Sequence, residues 1–235
     1  MRTINTNRWN RIRYTVFAPL YDRVAPFSAQ RRRSLELLAL EPGERVLLVG
    51  AGTGADLPFI PQGVAVVAGD ITPAMVDRIR RRAGRLGRPV EADVMDGQAL
   101  AFPDGSFDAV VLHLIVAVIP DPAACVREAA RVLRSGGRAV VFDKFVPDGE
   151  EPSAARRALN LVTSTLFSDV TRRLGPLLAG TGLRVVQRVP AGLGGRFEIA
   201  LLRKEGGPGL RGRGRAGSSR SRSSPSTRRR SRLRG

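Results

Sequence analysis

The chain has 235 residues, 43% of them hydrophobic, enough for one sizeable core. A single cysteine, Cys125, and a single histidine exclude an internal disulfide and a cysteine-based metal cluster, so no metal site is expected. The net charge of +18 sits at the ends: residues 206–235 hold ten arginines and no acid, residues 1–33 hold eight arginines against Asp22 alone, and residues 34–205 keep only +1.

Taken in chain order, Trp9, Ile12, Val16 and Leu20 recur at spacings of 3, 4 and 4, with Arg8, Arg11 and Arg13 mostly off that line. This is the pattern of an amphipathic basic helix, which either packs its apolar line on the core as a lid or lies in an anionic lipid interface. Arg31-Arg32-Arg33 adds charge nearby. Residues 1–40 are therefore expected as N-terminal helices and lid, 41–205 as one α/β domain and 206–235 as a tail.

From residue 45 to 145, apolar runs of strand length alternate with amphipathic runs of helix length, the signature of a parallel sheet covered on both faces. Strands are expected at Arg45–Val49, Val64–Ala68, Val90–Ala92, Ala109–Leu114 and Arg138–Phe142. Helices are expected from about Thr53, from Pro73 with Thr72 as N-cap, and from Pro122 with Asp121 as N-cap to Arg134 before Gly136-Gly137. A helical stretch over 153–179 and two last strands, Leu183–Val189 and Arg196–Leu202, complete the domain. Cys125 reads as a buried free thiol in the Pro122 helix.

No apolar run reaches the roughly 18–20 residues that span a bilayer. Nor does the N-terminus combine an apolar stretch with a cleavage site, so a cytoplasmic protein is expected. After Gly206 the sequence is Gly, Ser, Arg and Pro with little to bury, which predicts a disordered tail. Such a tail is either a solvated extension or an anchor for nucleic acid or anionic lipid, and no aromatics interleave its arginines.

The first strand runs directly into Gly50-Ala51-Gly52-Thr53-Gly54, a turn of nearly bare backbone that lets a ligand approach closely. Twenty residues past Gly50, Asp70 ends the second strand, where a carboxylate can accept hydrogen bonds from two ribose hydroxyls. Loop plus spaced acid points to an adenosine-type cofactor. Gly50, Gly52 and Ala55 also satisfy G-x-G-x-x-G/A, so a nicotinamide dinucleotide is the formal rival. Against it, both tyrosines, Tyr14 and Tyr21, precede the loop, and Asp56 follows it, poorly placed for a pyrophosphate but tolerable beside a sulfonium.

Val46 to Gly54, Asp70, Asp96-Gly97-Gln98-Ala99-Leu100, Pro103-Asp104-Gly105-Ser106-Phe107-Asp108 and Arg131-Val132-Leu133-Arg134-Ser135-Gly136-Gly137 together resemble the successive motifs of class I S-adenosylmethionine-dependent methyltransferases. The resemblance implies a doubly wound, mostly parallel seven-stranded sheet in the order 3-2-1-4-5-7-6, with the last strand antiparallel. It also implies that Asp96 bonds the adenine amine with Gly97 beside it, that Ile71 packs on the adenine face, and that Leu114 lies near the methionine portion. Ala18-Pro19-Leu20-Tyr21-Asp22, together with Gly52-Thr53-Gly54 and Leu57-Pro58, resembles the phosphatidylethanolamine N-methyltransferases and the ubiquinone/menaquinone C-methyltransferases. In those groups a Tyr-Asp closes over the cofactor, which implies a lid role for Tyr21.

Methyl transfer draws most of its rate from alignment and desolvation. His113, at the carboxyl end of the fourth strand, is the candidate base, and Asp143, equally placed on the fifth, is a candidate to orient an amine or take its proton. The expected function is S-adenosylmethionine-dependent methyl transfer to a lipid-like acceptor, a phospholipid amine or a prenylated quinone, with peripheral contact to an anionic membrane. The alternatives are a soluble small-molecule acceptor and, from another class, a nucleic-acid-binding protein acting through its tail.

Overall fold

The computed structural model describes residues 6–17, 27–146, 171–192 and 197–206. Tyr21, most of the 153–179 stretch, Gly194, Gly195 and the tail beyond Gly206 lie outside the described residues. The elements run α1 (Asn7–Phe17), α2 (Ser28–Leu38), β1 (Arg45–Val49), β2 (Ala65–Asp70), α3 (Pro73–Arg85), β3 (Val90–Val94), β4 (Phe107–His113), α4 (Pro122–Val132), β5 (Leu133–Lys144), α5 (Leu174–Leu178), β6 (Leu183–Pro190) and β7 (Phe197–Lys204).

The seven strands form one sheet in the order β3-β2-β1-β4-β5-β7-β6. β1, β2, β3, β4 and β5 pair in parallel, while β7 runs antiparallel to both β5 and β6. Alternation along β1 divides the core in two. Leu47 and Val49 face α4 and its buried Cys125, Val126 and Ala129. Val46 and Leu48 face Leu35 and Leu38 of α2 and Ile79 of α3. Both faces of β1 are covered, which is why it reads as a continuous apolar run.

The N-cap expectations hold in part. Asp121 accepts from the Ala124 N–H at 2.9 Å ahead of Pro122, whereas Thr72 takes the extended cap conformation before Pro73 without a side-chain cap bond.

Three expectations are corrected. No α-helix follows the glycine loop: Gly50, Gly52 and Gly54 have φ of 63°, 56° and 74°, and the chain makes turns and one 3-10 turn at Leu57–Phe59. Left-handed backbone up to Gly54 cannot enter a right-handed helix at Thr53. The helix expected to reach Arg134 stops at Val132, where the chain extends into β5.

Third, of the two readings of the apolar line on α1, packing on the core fails at Ile12 and polar residues turn inward; the Val16 side chain and Leu20 lie outside what is described. Asn10 and Arg13 are buried, Trp9 is half-buried and Ile12 is 52% exposed. The Asn10 Nδ2 donates to the Val118 carbonyl, and Arg13 donates to the Asn10 Oδ1 at 2.8 Å. Arg31, read as surface charge, is buried as well.

Candidate active site

The strand order reverses between β1 and β4, and the carboxyl ends of those strands open a cleft there, where ligands of open α/β sheets bind. A cleft of about 680 Å³, counted out to its open mouth, occupies this place. One wall is the backbone of Gly50, Ala51 and Gly52. Gly50 closes against the turn after β4: a Cβ there would stand 2.3 Å from the Cδ1 of Ile115.

Asp70 ends β2 in the cleft wall and is nearly buried. Its Oδ2 accepts from the Gly52 N–H at 3.0 Å and its Oδ1 from the Thr72 N–H at 2.9 Å, so the acid and the glycine turn hold each other. Burial pushes its pKa above the ordinary carboxylate value, partly offset by these two backbone donors. Ile71 follows it in the wall, with Met75 from α3 behind.

Asp96 and Gly97 line the cleft beyond β3. A Cβ on Gly97 would lie 2.8 Å from the Val49 Cγ1, so any larger residue there must displace that side chain. The Asp96 Oδ2 accepts from the Asn7 Nδ2 at 2.6 Å, and its Oδ1 accepts from the backbone and side-chain nitrogens of Gln98, each at 2.9 Å. Asn7 and Asn10 of α1, which sequence reasoning missed, thereby close this end of the cleft. Their spacing of three, opposite Trp9 and Ile12, is the signal that was present.

Leu114 takes a left-handed φ of 59°, held by its N–H bond to the Phe142 carbonyl, and with Ile115, Val118 and Ile119 makes the apolar end of the cleft. His113 also reaches the wall, but both its nitrogens are engaged: Nδ1 lies 2.7 Å from the Asp56 Oδ1 and Nε2 2.7 Å from the Ser34 Oγ. Asp56 further accepts from Arg31 at 2.8 Å. Burial would raise the Asp56 carboxyl, yet Arg31 and His113 beside it hold it well below the usual range. Sequence reasoning noted Asp56 only as a charge after the loop and missed Arg31 and Ser34.

Asp143, the second candidate for acid–base work, is not part of the cleft lining. It is buried, accepts from the Ala117 N–H and the Lys144 N–H at 2.9 Å each, and burial raises its pKa. Its work is to hold the turn after β4. Thr53 and Gly54 also stand off the cleft, Gly54 packing on Leu57 and Ile79. Cys125 is buried and its thiol is pushed up to about 12 by burial, so it is inert. Among the described residues no group of three or more acidic, histidine or cysteine side chains is placed to hold a metal ion.

Residues 47–141 match a family model described as a methyltransferase domain. The chain is 38% identical over 157 residues to phosphatidylethanolamine N-methyltransferase of Cereibacter sphaeroides, covering 66% of this chain and 77% of that protein. It is 34% identical over 177 residues to demethylmenaquinone methyltransferase of Thermus thermophilus, covering 71% and 77%. The fold is similar to that of a putative sarcosine dimethylglycine methyltransferase from Galdieria sulphuraria, with a TM-score of 0.64 at 18% identity over 76% of this chain and 85% of that one.

Proposed function

Because this chain belongs to the methyltransferase family that these matches define, we propose that it moves a methyl group from S-adenosylmethionine onto a lipid-like acceptor, a phospholipid amine or a prenylated quinone. The carrying observation is the convergence, at the switch point of the sheet, of bare backbone at Gly50–Gly52 with the carboxylates of Asp70 and Asp96. That donor set fits a nucleoside with an attached amino acid: Asp70 for the ribose hydroxyls, Asp96 for the adenine amine, Ile71 for the adenine face, and the turn of Gly50, Ala51 and Gly52 with Leu114 for the methionine portion.

When bound, the cofactor supplies an activated methyl group on a sulfonium. The protein's part is alignment and exclusion of water. Leu114, Ile115, Val118 and Ile119 give the cleft a dry end in which an apolar acceptor displaces solvent. Asp143, through Ala117, keeps that end rigid. The two relatives, named for a phospholipid amine and a quinone, support an acceptor with a lipid tail. No helix among the described residues is long and apolar enough to cross a membrane. Exposed Ile12, with the exposed Arg8 and Arg11 on α1, supports peripheral contact with an anionic bilayer, where such an acceptor resides.

The test uses S-adenosylmethionine carrying a labelled methyl group with dioleoylphosphatidylethanolamine or demethylmenaquinone in mixed micelles, and free ethanolamine as the soluble control. Label in the lipid fraction supports the proposal. Label on ethanolamine alone, or on neither lipid, overturns the acceptor assignment.

A further inference from the structure

We propose that His113 is a positioning residue: with Ser34, Asp56 and Arg31 it closes a ring of side-chain hydrogen bonds that locks α2 to the cofactor loop and to the end of β4. Arg31 and Ser34 are three residues apart on α2 and so share a face. From there the ring runs Arg31 to Asp56 at 2.8 Å, Asp56 to His113 at 2.7 Å, and His113 to Ser34 at 2.7 Å, closing through the helix itself. All four side chains are buried, and the imidazole stands edge-on to the Phe142 ring with centroids 5.8 Å apart.

The order Ser–His–Asp is that of a hydrolytic triad, but the surroundings forbid that chemistry. Ser34 is fully buried within a helix, where no acyl group can reach its hydroxyl, and the carboxylate is shared with Arg31. The geometry fixes a tautomer instead. Asp56, kept ionised beside Arg31, can only accept, so a hydrogen sits on Nδ1, and in the neutral ring that tautomer leaves Nε2 to accept from the Ser34 hydroxyl. Neither nitrogen presents a lone pair to the cleft, and the imidazole does not collect the acceptor's proton.

The ring instead joins the two walls of the site. Asp56 lies two residues past Gly54 of the cofactor loop, and His113 directly precedes the left-handed Leu114 and the Ile115 that backs Gly50. A displacement of α2 is thus passed to both walls between which methyl donor and acceptor must align, and a 1 Å misplacement costs about 100-fold in rate.

His113 is the one histidine in the chain, so imidazole 15N NMR of the whole protein reads a single site. The expected spectrum has the hydrogen on Nδ1. In Ser34→Ala the Nε2 resonance moves and Nδ1 keeps its hydrogen; amide exchange over 50–56 and 113–119 in the S-adenosylhomocysteine-loaded protein rises about tenfold, and affinity for that ligand changes less than twofold. A hydrogen on Nε2 in the wild type, or unchanged exchange in Ser34→Ala, overturns the ring.

The activity arm rests on the acceptor reading above. With dioleoylphosphatidylethanolamine, His113→Asn, whose amide can still donate to Asp56, should recover at least tenfold of the kcat lost in His113→Ala, with KM for S-adenosylmethionine unchanged. Equal kcat in the two variants would show that the bond to Asp56 has no part in the rate and overturn the proposal. If the wild type does not methylate this lipid, that acceptor falls and the NMR and exchange results alone decide the ring.

Discussion

Asp70 answers two opposed demands. Its burial disfavours the charged form, so the folded state holds the Asp70 proton more tightly than the unfolded chain does. The stability this lends is present below the ordinary carboxylate range and is lost as pH rises through the raised folded pKa, which leaves an ionised Asp70 as a cost at neutral pH. Asp70→Asn removes that cost but turns an NH2 toward one of the two backbone donors, so the melting temperature of the cofactor-free protein at pH 7 should change little. The same variant should weaken S-adenosylmethionine binding about 10- to 100-fold, on the order of 1.5–3 kcal/mol for hydrogen bonds to a charged group. Thermal melts and calorimetry read the two effects separately, and a variant that melts lower yet binds normally would contradict this account.

Asp56 has the opposite sign. Its folded pKa is depressed, so its contribution is present above the ordinary value of 3.8 and fades as pH falls below it. Asp56→Asn leaves Arg31 buried beside a neutral amide and should cost about 3–5 kcal/mol at pH 7, the usual penalty for breaking a buried pair. The gap from wild type in denaturant melts should narrow as pH drops below about 4, where the unfolded carboxyl takes up its proton.

The two aspartates also divide what a sequence can disclose. Asp70 was legible because its partner loop follows the neighbouring strand, at a spacing set by the single crossover from β1 to β2. The bonds of Asp56 and His113 span 25, 57 and 79 residues, and no periodicity in the chain encodes such pairings.

At the level of elements, the central strands β1, β2 and β4 were legible because burial on both faces writes itself as runs of Val, Leu and Ala. α1 was harder. The apolar spacing of Trp9 and Ile12 says which residues share a face and not which face turns inward; the decision was made by Asn7 and Asn10 finding partners in the loops beyond β3 and β4. The missing helix after the cofactor loop has a backbone cause, three left-handed glycines in five residues.

Gly50→Ala tests that cause directly. The left-handed backbone alone should cost about 1–2 kcal/mol. The new methyl must also displace Ile115 from the cleft wall, so cofactor affinity should fall together with the melting temperature. Gly136→Ala, also left-handed but with open space around it, should lose stability without losing affinity.

The whole molecule joins a nearly neutral domain to strongly basic ends. The order of its sheet matches the order implied by the motifs, and the cleft falls where that order reverses. Removing residues 207–235 takes away ten arginines and none of the residues that line the cleft. The shortened chain should elute from heparin at much lower salt while binding S-adenosylmethionine within twofold of the full chain; a larger loss of affinity would give the tail a part in the site.

The chain contains one tryptophan, and it rides on the helix whose asparagines bond the loops beyond β3 and β4 at the cleft. Trp9 is half-buried there, so its indole meets a different mixture of water and protein whenever α1 lifts or settles. The protein thus carries its own optical reporter. Intrinsic fluorescence should shift on titration with S-adenosylmethionine and saturate at the calorimetric Kd, and Asn7→Ala should blunt the change in emission.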